Sequence, residues 1–179
     1  MSDKIKTGGK NVNGKCSVGS CEIEFMNNDK EKTAKIKRAE EELLRELYRN
    51  TQVALQSISG IIGEVEDEKI GALIKQQHEK YEEISAETAL LAHKYGVDVK
   101  EPSVMKKAML WTSIKLNTIT DNSASHIAEM MIQGTVMGIT ELTKFINDNR
   151  QLAGDDVLAL SDKLLATEEQ NLEDFKKYL

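Results

Sequence analysis

His126 and Glu129 stand three residues apart, one helical turn, inside the run SASHIAEMMIQGTVMGITELTKF that covers residues 123–145. An imidazole and a carboxylate at that spacing share a helix face and can reach one metal ion, so the pair is the first candidate for chemistry. A wheel at about 3.6 residues per turn puts Ile127, Met130, Met131, Gly134, Gly138, Leu142 and Phe145 on one side. Glu129 falls opposite, with Gln133, Thr140 and Asn147, and His126 lies at the edge of that polar strip near Gln133 and Lys144. The expectation for the pair is a solvated or interface strip rather than a metal centre. Methionines on such a helix read as core filler before they read as copper ligands.

A second group carries more weight. Glu40, Thr51, Gln77, Thr88, Ser161 and Glu168 are polar residues at positions that the helical period assigns to the core. Glu168 takes the seam between Leu165 and Leu172, ahead of Phe175. A carboxylate buried there must be hydrogen-bonded, protonated or paired, and Gln77, Thr51 or Tyr81 could satisfy it. Three readings are open: a polar layer that fixes helix register, a degenerate metal site with too few ligands, and a small-molecule pocket. Cys16 and Cys21 form a C-x4-C pair with no nearby histidine. Structural zinc takes four ligands, so idle thiols are expected there, with a reversible disulfide or a docking element as the alternative.

The elements that would position these residues are helices. From Asp29 onward the apolar period is helical. A first helix is expected from about Asp29 to about Glu64, with Ile36, Leu43, Leu47, Ala54, Ile58, Ile61 and Val65 inward. VEDEK is the turn. A second helix runs from about Asp67 to Tyr95 on Ile70, Leu73, Ile74, Tyr81, Ile84 and Leu91, with Gly96 as its left-handed cap and Pro102 beyond. Residues 97–120 carry an amphipathic stretch with Met105, Met109, Trp111 and Ile114. The capping residues of NTITDNS then open a third helix that reaches about Asp148. A fourth helix follows Gly154, capped by Asp155, on the heptad Leu158, Leu165, Leu172 and Leu179. Residues 1–28, rich in glycine and asparagine, read as a flexible tail that could take a protein partner, and CEIEF as a short extended piece if a strand met it. The third helix has an apolar face widened by Ile132, Val136, Ile139 and Ile146, and Gly134 with Gly138 permits close helix approach.

Composition narrows the function classes. The chain has 179 residues, 30 acidic against 24 basic, and a formal charge of −6. That disfavours nucleic acid and anionic membrane surfaces as partners. No apolar run approaches the roughly 20 residues of a membrane span, and the first residues lack the apolar core of a secretory signal, so a cytoplasmic address is expected. A single proline and few aromatics, beside abundant Leu, Ile, Ala, Glu and Lys, indicate an all-α protein.

The stretches ELYRNTQVAL and WTSIKLNTITDNSASHIAEMMIQG, together with the closing helix, resemble a poorly characterised Firmicutes group of the ferritin-like superfamily, over about Asp29 to Leu179. The resemblance implies a four-helix bundle of two antiparallel hairpins joined by a long helical crossover. Metal-binding members of that superfamily use Glu-x-x-His pairs. Here the residues three before His78, His93 and His126 are Lys75, Leu90 and Ser123, and the nearest equivalent in the last helix is Glu168-x-x-Asn171. No catalytic, cofactor or metal residue is therefore carried over. The expectation is a non-catalytic structural or interaction bundle at residues 29–179, in a spore or stress setting, self-associating through its third helix. An atypical metal-binding oxidoreductase and a small-molecule or regulatory binding module are the alternatives.

Overall fold

The computed structural model describes the backbone of residues 18–100 and 121–179, and side chains from Asp29 onward. Cys16, the side chain of Cys21 and the Trp111 segment lie outside the described residues. The described elements are α1 (Val18–Ile61), one 3-10 turn (Ile62–Glu64), α2 (Glu68–Tyr95), α3 (Ala124–Asn149) and α4 (Asp155–Lys176). All are helical, as composition and period require. Among the described residues no helix is long and apolar enough to cross a membrane.

Helix α1 begins at Val18, upstream of the boundary expected near Asp29. Cys21–Phe25 are thus helical rather than extended. An extended segment needs a neighbouring strand for its backbone groups, and the described residues offer none; a helix pairs them within itself. The chain divides into two units, Met1–Ala34 and Lys35–Leu179. In the first, the Thr33 hydroxyl donates to the Asp29 carbonyl at 2.8 Å. The second holds the bundle.

Its core is built from one stripe per helix: Leu43, Leu44, Leu47, Ile58 and Ile61 of α1, Ile70, Ile74, Tyr81 and Ile84 of α2, Ile127, Ala128, Leu142 and Ile146 of α3, and Val157, Leu160, Leu164 and Phe175 of α4. Each fully buried Leu, Ile or Phe contributes about 1.5–3 kcal/mol. Cross-helix pairs set the directions. Along α2 and α4, Tyr81 meets Glu168, Glu83 and Glu87 meet Lys163, and Lys94 and Tyr95 meet Asp156, so these helices are antiparallel. Arg49 meets Glu141 and Asn50 meets Gly138, with Ile58 and Ile61 of α1 lining the same cavity as Met130 and Met131 of α3. Helices α1 and α3 are therefore antiparallel too. With the tight turn between α1 and α2, this makes α2 and α3 point the same way.

The helix ends are chemically explicit. The Asp67 side chain caps α2 by accepting from Lys69 N at 2.9 Å and Ile70 N at 3.0 Å. Gly96 closes α2 in the left-handed region at φ 68°, where a side chain would be strained. Ser123 caps α3 through His126 N. At α4 the cap is Gly154, one residue before the Asp155 expected from sequence. The carboxylate that serves this helix start comes from another helix: Gly154 N donates to Glu40 Oε1 at 3.2 Å. A Cβ on Gly154 would sit 3.1 Å from both that oxygen and the Tyr95 hydroxyl, so any larger residue there needs these two side-chain ends to give by a few tenths of an ångström.

Three further expectations are corrected. The buried seam of α4 is Val157, Leu160, Ser161, Leu164, Glu168, Asn171 and Phe175. The heptad leucines 158, 165 and 172 flank it, and Leu179 is exposed, because polar side chains occupy part of the seam and shift the apolar signal to its margin. Ile146 belongs to the core rather than to a surplus strip. Among the described residues nothing lies within 4 Å of the Gly134 Cβ position, so no close helix contact is made there, whereas Gly138 faces Asn50 and Glu168.

Candidate functional site

At mid-height in the bundle every helix presents a polar group to the interior. Asn50 comes from α1, Tyr81 from α2, the Gly138 carbonyl from α3, and Glu168 and Asn171 from α4. The periodicity forces this. Positions 50, 81, 168 and 171 lie on the same helix faces as Leu47, Ile84, Leu164 and Phe175, and are buried with them.

The hydrogen bonds run in one chain. Asn171 Nδ2 donates to the Tyr81 hydroxyl at 3.0 Å, and that hydroxyl donates to Glu168 Oε2 at 2.8 Å. Glu168 is 2% exposed. Burial pushes its carboxyl up to about 7, partly offset by the Tyr81 bond, which favours the ionised form. Burial, and then the neighbouring carboxylate, push the Tyr81 phenol well above its ordinary value. Tyr81 is thus a donor that does not ionise, and Glu168 a carboxyl poised near neutrality. Among the described residues, both amide atoms of Gln77, one turn before Tyr81, and Oδ1 of Asn171 are buried without a hydrogen-bond partner.

Glu168, Tyr81 and Asn50 also form the floor of a cavity of about 460 Å³ between α1 and α3. Its walls are Val53, Ala54, Ile58 and Ile61 from α1 and Met130, Met131 and Met137 from α3. Arg49 and Glu141 close one side, where Arg49 bonds Glu46 at 2.7 and 2.9 Å and Glu141 at 2.9 Å. The cavity is mostly apolar, with Ser57, Gln133 and Thr135 also on its lining, and its volume lies in the range of small-molecule sites, roughly 300–1,000 Å³. Gly134 and Gly138 lie along the α3 wall, where the missing side chains leave room.

No family model, curated protein or solved structure matches the chain.

His126 and Glu129 have different surroundings. Glu129 is exposed and accepts from Gln133 Nε2 at 3.4 Å. His126 is half-buried at the start of α3, and its Nε2 is shielded without a hydrogen-bond partner among the described residues. Among the described residues no three His, Cys, Asp or Glu side chains cluster in a metal-holding group. Five of the six polar residues assigned to the core, Thr51, Gln77, Thr88, Ser161 and Glu168, are buried, and Glu40 is half-buried at the α4 cap. Thr51, Thr88 and Ser161 bond the carbonyls of their own helices, so of the partners foreseen for Glu168 only Tyr81 bonds it. Asn50 and the Arg49–Glu141 pair escaped the sequence reading. Asn50 carries a signal in hindsight: it adjoins Thr51 inside the buried arc that begins at Leu47.

Proposed function

We propose that this chain is a ferritin-like bundle that acts without catalysis, as a binding module for a small, largely apolar molecule held between α1 and α3. The observation that carries the proposal is the cavity of about 460 Å³ with a buried acid at its inner end. A well-packed core does not leave such a volume beside a desolvated carboxylate, because both the lost packing and the under-used acceptor cost stability. A ligand that fills the volume offsets both. The order and directions of the four helices support the ferritin-like part of the reading.

Catalysis is not favoured. The hydroxyl in hydrogen-bond reach of Glu168 is that of Tyr81, which burial keeps protonated, so the pair does not supply an activated nucleophile. A metal centre is not favoured either, since Glu168 is the one carboxylate in a layer otherwise made of Asn50, Tyr81, a glycine carbonyl and Asn171. Self-association through α3 stays in the proposal, narrowed to Val136 and Met137, which are 44% and 67% exposed.

Gly134→Leu tests the binding role. The new side chain enters open space on the cavity wall, and leucine favours helix over glycine. Calorimetric titration with octan-1-ol should show binding to the wild type and none to a folded Gly134→Leu chain. Equal binding to both would place the probe elsewhere and sink the proposal.

A further inference from the structure

We propose that the cavity selects an organic cation: an apolar chain ending in a protonated amine, whose N–H groups are received by Glu168 Oε1 and Asn50 Oδ1 beside Gly138. This deepens the binding reading above and rests on it.

Three observations point to a cation. The first is convergence. The Cβ position of Gly138 has Asn50 Oδ1 and Glu168 Oε1 each at 3.5 Å, with Asn50 Nδ2 at 3.4 Å. Two oxygens from different helices thus face one small space that a side chain would fill. The second is the state of the groups beside Gly138. The Tyr81 hydroxyl proton is given to Glu168 Oε2, and one hydrogen of Asn50 Nδ2 to the Gly138 carbonyl. Glu168 Oε1 and Asn50 Oδ1 are acceptors, and an ammonium, with three donors and no acceptor, is their complement; a carboxylate or phosphate would set its own acceptors against them. The third is charge. On the lining, Arg49 pairs with Glu141 at 2.9 Å, while Glu168 is buried and has no cationic partner among the described residues. In its ionised form this desolvated carboxylate attracts a cation and repels an anion. The apolar walls and the thioethers of Met130, Met131 and Met137 take the chain, and methionine adapts to its shape.

The test uses three probes with the same eight-carbon tail, octylamine, octan-1-ol and sodium octanoate. They are titrated calorimetrically at pH 8 into the full-length wild type, Glu168→Gln and Gly138→Ala. At that pH octylamine is protonated, and the pH is above the value of about 7 to which burial pushes Glu168, so the carboxylate is mostly ionised. Gly138→Ala puts a methyl group at ordinary contact distance between the two oxygens and favours helix, so it folds while blocking the head-group space. The expected result is that octylammonium binds the wild type about tenfold or more tightly than octanol, as a charge-assisted hydrogen bond allows. Octanoate should bind more weakly than either. Glu168→Gln should bring octylammonium down to the level of octanol, and Gly138→Ala should weaken octylammonium severalfold while its melting temperature holds or rises. If octanol or octanoate equals octylammonium in the wild type, the inference is overturned and the binding reading survives. If octylammonium is preferred but neither variant changes it, the assignment to Glu168 is overturned. If none of the three probes binds, the cation inference and the binding reading fall together.

Discussion

Tyr81 donates its phenolic hydrogen to Glu168 at 2.8 Å across the α2–α4 interface, joining a phenol that burial keeps protonated to a carboxyl held near neutrality. This bond is the only one made to Glu168 among the hydrogen bonds described above, and it leaves Oε1 turned to the cavity. The pH behaviour of the bundle follows from it.

Glu168 titrates near 7 in the fold against an ordinary 4.5. Between those values the folded chain holds a proton that the unfolded chain has released, so stability falls as pH rises through that window and levels off above it. The full difference from this one group is at most about 3 kcal/mol. Glu168→Gln keeps a group that can accept from Tyr81 and does not titrate. Urea denaturation at pH 5 and pH 8 should show the wild type weaker at pH 8 and the variant nearly level, with the variant the more stable of the two at pH 8. An unchanged slope in Glu168→Gln would mean that other groups set the pH dependence.

Tyr81→Phe removes the shared hydroxyl and leaves both Glu168 Oε2 and Asn171 Nδ2 without the partner they have now. The expected cost is about 1–3 kcal/mol by urea denaturation, and more at pH 8 than at pH 5, because the ionised carboxyl loses more than the neutral one. A cost below about 0.5 kcal/mol at both pH values, the range of an ordinary surface change, would show that the hydrogen-bond chain is not a structural layer.

Much of the fold was legible because each boundary has a local chemical cause. Asp67 and Ser123 are side-chain caps, and Gly96 is the residue that tolerates a positive φ. What was not legible depends on contacts between distant positions. The cap of α4 is misplaced by one residue when read locally, since its carboxylate is Glu40, more than a hundred residues away. The leucine heptad of α4 misleads because Ser161, Glu168 and Asn171 displace apolar residues from the true seam. The buried polar set could be read from period alone. Its bonding could not, because Thr51 turns to its own helix and leaves Glu168 to Tyr81. The cavity was invisible for a further reason: it comes from what side chains fail to fill, at Gly134 and Gly138, and a wheel records only what is present.

Val136 carries the assembly prediction. It is exposed on α3 beside Met137, so an aspartate there does not disturb the core. Sedimentation velocity at tens of micromolar should find the wild type self-associated and Val136→Asp shifted toward the monomer, with the helical circular dichroism unchanged. A monomeric wild type would remove α3 as an interface.

The account depends most on whether the space between α1 and α3 takes a ligand. Among the described residues, Met130, Met131 and Met137 line that space. With methyl-labelled methionine, a proton–carbon correlation spectrum can be followed as octylamine is added at pH 8. Saturable shifts of the Met130, Met131 and Met137 methyl signals are expected, lost in Gly134→Leu. No shift of these three signals up to millimolar probe would overturn the binding role.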